Sequence, residues 1–138
     1  MKCFCVSICS VILLLACSAG CRNIDPKSAL MEVHEQYVDS ILSEDYDGYA
    51  ASLSPDVKDF PGSEEAFNEW LGSDDGRALN EFLRTAKIVK VSCLSSSAEI
   101  RMSSLAGLSY RGSPELVLTY AETKDGWRLS KTGSPKTP

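Results

Sequence analysis

The chain is poor in the residues that most often carry chemistry: among 138 residues there is a single histidine, His34. Five of the six cysteines, Cys3, Cys5, Cys9, Cys17 and Cys21, crowd the first 21 positions, which leaves Cys93 alone in the remainder. One cysteine cannot build a disulfide scaffold, and one cysteine with one histidine cannot build a self-contained structural zinc site. No glycine-rich phosphate loop, Gly-x-Ser-x-Gly elbow or spaced calcium loop is present, so no nucleophile, metal or cofactor is expected. Basic residues are dispersed, with no cluster interleaved with aromatics, which argues against nucleic acid as a partner. The longest apolar stretch, Phe4 to Ala16, is too short for a hydrocarbon core, which takes roughly twenty helical residues.

That short stretch follows Met1-Lys2 and carries no charge, the pattern of a signal peptide. Leu14-Leu15-Ala16-Cys17 resembles the lipobox of bacterial lipoproteins, in which the cysteine thiol receives diacylglycerol. Ser18-Ala19-Gly20-Cys21 is a second candidate; Cys17 is preferred because the apolar run ends directly against it. The expected organisation is a signal peptide at 1–16, a lipidated tether at 17–24, one domain at 25–131 and a flexible tail at 132–138. Such an anchor, with two or three acyl chains, holds a protein stably at a membrane without spanning it. The expected location is the bacterial cell envelope, on the outer membrane facing the periplasm in a Gram-negative host.

About 120 residues then remain, enough for one ordinary domain with a real core. Charge is divided along it: residues 22–81 hold four Lys/Arg against fifteen Asp/Glu, and residues 82–138 hold nine against four. The asymmetry reads first as solvated, acidic helix surfaces and second as two faces with different partners. Asp25-Pro26 is a helix start, with a capping side chain followed by proline at the first helical position. Leu30, Val33, Tyr37, Val38 and Ile41 recur at helical spacing and predict one apolar stripe to about Ser43. A short helix near Asp47-Gly48 ends at Ser54-Pro55; Ser63 opens a third, and a fourth begins about Asp74.

From Lys87 the period changes to two. Val89, Val91 and Cys93 are expected on one strand face, with Cys93 buried and inert, and Ala98, Ile100 and Met102 on the next strand. Leu105 to Gly112 matches no pattern. Glu115–Glu122 and Trp127–Lys131 read as strands joined by an Asp125-Gly126 hairpin. Helices first and antiparallel strands later predict an α+β fold, N-terminal helices packed on a curved antiparallel sheet.

This order, with Leu53-Ser54-Pro55-Asp56 after the second helix and Lys124-Asp125-Gly126-Trp127-Arg128-Leu129 in the last hairpin, resembles the nuclear transport factor 2-like superfamily. Within it, small bacterial lipoproteins with a domain of unknown function are the nearest likeness. The resemblance implies a cone-shaped, cystatin-like fold whose sheet and first helices enclose an apolar pocket, used by some members for ligands and by others for isomerase or dehydratase chemistry. The chain lacks an acid that can be paired with its one histidine, which counts against the enzymatic branch.

Four residues are expected as pocket lining: His34, Tyr37, Trp70 and Tyr120. His34 borders the first helical stripe, with no partner identifiable to orient its ring. Tyr110 and Trp127 are further aromatic candidates, Trp127 and Phe82 reading as core. The function expected is a non-enzymatic, envelope-anchored domain binding a small apolar ligand or a protein partner. The alternatives are a pocket enzyme using His34 and a tyrosine, and an accessory component docking an envelope complex through its acidic helices.

Overall fold

The computed structural model describes residues 25–135. The segments expected as signal peptide and lipidated tether, with Cys17 and Cys21, and the last three residues of the expected tail lie outside the described residues. Helix α1 runs Pro26–Leu42, α2 Tyr46–Ser52, α3 Glu64–Gly72 and α4 Asp74–Thr85; strands β1 Ala86–Cys93, β2 Ser97–Ser104, β3 Glu115–Thr123 and β4 Gly126–Gly133 follow. The strands pair in sequence order as an antiparallel meander, so the α+β class is as expected. Strand β4 extends through Thr132 and Gly133, which pair with Leu118 and Val117, so the tail begins two residues later than the sequence pattern places it.

Three of the four helices start where a side chain satisfies a free amide; α2, after Asp45, has no such side-chain bond. Asp25 accepts from the Lys27 amide ahead of Pro26, Ser63 from Ala66, and Ser73 from Gly76. Ser73 ends α3 and caps α4 in one residue, which brings two helix axes together sharply. Gly76 makes the corner possible: a Cβ there would lie 2.1 Å from the Trp70 carbonyl oxygen, a backbone atom that cannot swing away.

The buried stripe of α1 is Leu30, His34, Tyr37 and Ile41, with Ser40 beside it. It is rotated from the expected one, so Val33 and Val38 are half-buried and His34 sits on the stripe instead of at its border. Against it, β2 presents Ala98, Ile100 and Met102, β3 presents Leu116, Leu118 and Tyr120, and β4 presents Trp127 and Leu129. Tyr49 and Phe67, with ring centroids 4.5 Å apart, close the helical side with Tyr46, Phe60 and Trp70 around them. The space between helices and sheet is therefore filled by side chains, where the resemblance implied an enclosed apolar pocket.

Strand β1 departs from simple alternation. Its register slips between Ile88 and Lys90, a bulge that puts Ile88 opposite Met102 and Val91 opposite Ile100, on the same inner face. The bulged residue, Val89, is 45% exposed, and Cys93, at the strand's end on the sheet edge, is exposed instead of buried. In the β3–β4 hairpin the turn lies one residue earlier than the Asp125-Gly126 signal: Lys124 and Asp125 form it, and Gly126, at φ +102°, already pairs with Thr123.

Candidate functional site

At two concavities a polar side chain of the lining is hydrogen-bonded to a residue distant in sequence. The first lies where α3, α4 and the β2–β3 loop meet. Asp75, in the first turn of α4, receives four hydrogen bonds. The Trp70 indole Nε1 donates to Oδ2 at 3.1 Å, the Tyr110 hydroxyl to Oδ2 at 3.0 Å, Arg111 Nε to Oδ1 at 2.8 Å and Arg111 Nη2 to Oδ2 at 2.9 Å. A carboxylate offers about four lone-pair directions, so this one is saturated. The two-pronged Arg111 contact, helped by the indole and phenol donors and opposed by partial burial, pulls the Asp75 pKa down to about 2. Its charge and hydrogen bonding to Asp75 push the Tyr110 pKa upward, after the larger effect of burial.

Arg111 reaches Asp75 through an unusual backbone. Tyr110 and Ser113 exchange both amide bonds, at 2.9 and 3.0 Å, and between them Arg111 and Gly112 take φ of +50° and +75°. This is a two-residue turn with both central residues left-handed, for which Asn-Gly is the usual sequence. Arginine there costs on the order of 1 kcal/mol relative to glycine. The guanidinium, locked on Asp75 and 5.2 Å above the Tyr110 ring, holds the turn in place.

This assembly forms one wall of a cleft of about 390 Å³, whose lining also includes Tyr37, Asp59, Phe60 and Lys131. Phe60 and the partly exposed Trp70 give it flat apolar surface; Asp59 and Lys131 give charged groups that make no ion pair with any described residue. Tyr37 is 1% exposed and contributes only its outermost atoms to the floor.

The second position lies on the other side of α1. His34 Nδ1 is 2.8 Å from the hydroxyl oxygen of Tyr120, a residue 86 positions away, and both rings are buried. Burial lowers the His34 pKa to about 4 and raises that of Tyr120. Beside His34 is an apolar dimple of about 200 Å³ walled by Met31, Val38, Leu83, Ala86, Ile88 and Met102, with Glu35 and Asp39 at its rim.

Of the four residues expected to line one pocket, Tyr37 and Trp70 therefore share the cleft, while His34 lines only the dimple and Tyr120 is sealed behind it. The partner that the sequence did not offer His34 is Tyr120, supplied by strand β3. Asp75, Tyr110 and Arg111 were the residues missed as a set. Asp74-Asp75 reads as ordinary helix-start charge, and only the pair Arg111-Gly112, a possible tight turn, hinted at the rest. Among the described residues no group of three or more histidine, cysteine or acidic side chains is placed to hold a metal ion.

No family model matches the chain, and no curated protein matches it. Among solved structures, the chain is similar to the solution structure of a SEC-C motif containing protein from Rhodopseudomonas palustris. The two are 16% identical, with 71% of this chain and 72% of that one covered and a TM-score of 0.48. A likeness at this level extends to neither site nor function. The expected kinship with the nuclear transport factor 2-like superfamily is set aside: the structural neighbour is a SEC-C motif protein, and no family model or curated match supports that superfamily.

Proposed function

We propose that the protein is an envelope-anchored lipoprotein whose domain binds, without transforming it, a small molecule with a flat apolar body and a polar edge. The observation that carries this reading is the cleft built around Asp75. Flat apolar walls beside a few fixed polar groups are what small-molecule sites use, and here the Asp75 carboxylate already accepts four hydrogen bonds from the wall, so the wall is rigid before a ligand arrives. Trp70 and Phe60 would stack against the body of the ligand; Lys131 and Asp59 would meet its edge. The lining, with Asp59, Asp75, Arg111 and Lys131, is more polar than the apolar pocket the resemblance implied, and the proposed ligand changes with it.

His34 supports a binding role more than a proton-transfer role. A histidine held neutral down to about pH 4 is a weak base at neutrality, and the group that orients its ring is a phenol. The anchor is proposed on the Leu14-Leu15-Ala16-Cys17 pattern.

Intact mass spectrometry of the protein from its native membrane tests both halves. An acylated Cys17 and a co-purifying small molecule are expected. An unacylated chain would remove the anchor from the account, and an acylated chain that is always empty would shift the function toward a protein partner.

A further inference from the structure

The His34 dimple is separate from the Asp75 cleft and has a built-in polar contact that nothing in the protein uses. The Tyr120 hydroxyl is sealed in the core, and its partner is His34 Nδ1. If Nδ1 carried the ring proton, the Tyr120 hydroxyl hydrogen would be stranded in apolar surroundings without an acceptor. The favoured arrangement has Tyr120 donating to Nδ1, which fixes the neutral tautomer with its proton on Nε2. Nε2 has no hydrogen-bond partner among the described residues, although His34 is only 3% exposed. It is also not closed off: the one sealed side-chain polar atom without a partner among the described residues is the Tyr49 hydroxyl. His34 therefore offers an unused N–H at the dimple it lines.

Every wall of that dimple other than α1's acids is uncharged. Helix α4 contributes Leu83, β1 contributes Ala86 and Ile88, and β2 contributes Met102, while α1 adds Met31, Val38 and the rim acids Glu35 and Asp39. An apolar cavity of about 150 Å³ accommodates benzene, so about 200 Å³ suits a ring with one substituent. The carboxylates at the rim repel an anion, and the N–H calls for an acceptor.

We infer that the dimple beside His34 is a second binding site, for a small neutral apolar molecule carrying one hydrogen-bond acceptor such as a carbonyl, which takes the Nε2 proton. The site is independent of the Asp75 cleft and of the membrane anchor, so it stands or falls without them. Occupancy would bury the exposed edge between α1 and β1 and remove the unpaired donor.

Because His34 is the one histidine in the chain, imidazole-specific ¹⁵N labelling gives a single ring to observe. The full-length protein in phospholipid nanodiscs is titrated near pH 7 with cyclohexanone, which has an acceptor, and with toluene, which has none. The expected result is the Nε2-protonated tautomer before addition, and a saturable shift of the Nε2–H signal with cyclohexanone but not with toluene. Ala86→Leu, which fills the dimple from its β1 wall without touching the His34–Tyr120 bond, should weaken the cyclohexanone response by about tenfold or more. Val38→Phe provides the same block from α1 if the strand position does not tolerate leucine. An Nδ1-protonated ring, an Nε2 signal that cyclohexanone leaves unmoved, or a response unchanged in both filled variants would overturn the proposal.

Discussion

Asp75 and His34 are each the polar centre of a concavity, and they meet the cost of partial or full burial in opposite ways. Asp75 stays charged at the surface because four donors converge on it, and the Arg111 contact stabilises a turn that arginine would otherwise avoid. His34 is buried, gives up its charge and keeps one bond to Tyr120. The first centre is saturated, so its consequence is rigidity of the cleft wall. The second is half-satisfied, so its consequence is an available donor. A charged group under partial burial is held by partners of matching geometry, whereas a ring that gives up its charge can be buried with one bond made and one nitrogen left at the opening.

The largest expected effect strikes the Asp75 side alone. Gly76→Ala places a methyl group against the Trp70 backbone and must separate α3 from α4, so chemical denaturation should show a loss of about 3 kcal/mol or more. Asp75 and Trp70 would part, and the indole would lose its acceptor, readable as a shifted tryptophan emission. A variant of wild-type stability would mean that the corner between the helices is looser than described.

Acid separates the two centres by pH. His34 has its folded pKa lowered from 6.5 to about 4, so the unfolded chain takes up the proton first. Its contribution, roughly 3 kcal/mol, is complete above about pH 6.5 and is lost as the pH falls toward 4. Asp75, with its folded pKa lowered from 3.8 to about 2, contributes above about pH 4 and loses that contribution between 4 and 2. Stability measured against pH should fall in two stages, and Asp75→Asn should abolish only the lower one.

Smaller effects sharpen the contrast. Tyr120→Phe leaves His34 Nδ1 buried without a donor and should cost about 1–3 kcal/mol in thermal or denaturant unfolding. It should also release the fixed tautomer, seen in the imidazole nitrogen spectrum. Arg111→Lys keeps the charge but loses the fork, at a site where the arginine side chain is 60% exposed. About 1 kcal/mol or less is expected from it, together with loss of the ordered turn at Tyr110–Ser113 in amide exchange.

Much of the fold could be read in the sequence because its signals are local. Asp25-Pro26 and Ser63 mark helix starts through capping bonds made within a few residues, and alternation in Ala98–Met102 and Leu116–Tyr120 marks strands by which face is apolar. The reading failed where one extra residue resets a local rule. The bulge at Val89 moved Ile88 and Val91 onto one face and exposed Val89; Cys93 keeps the face of Val91, opposite Ala98, and is exposed because it ends the edge strand. The sites were less legible because both are long-range: Tyr120 meets His34, and Arg111 meets Asp75, across more than 30 positions that no periodicity connects. Tyr37 and Trp70 were recognisable as cleft residues by type, but their separation from His34 follows from the packing of α1, which directs Tyr37 and His34 toward different openings.

The claim at the centre of this account is that the cleft walled by Trp70 and Asp75 is where the protein takes its ligand. Native mass spectrometry of the full-length protein released from its own membrane, compared with Trp70→Ala and Ala86→Leu, tests it most directly. The account predicts a small-molecule adduct on the wild type that persists in Ala86→Leu and disappears in Trp70→Ala. An adduct that survives in Trp70→Ala, or a wild type without any adduct, would contradict it.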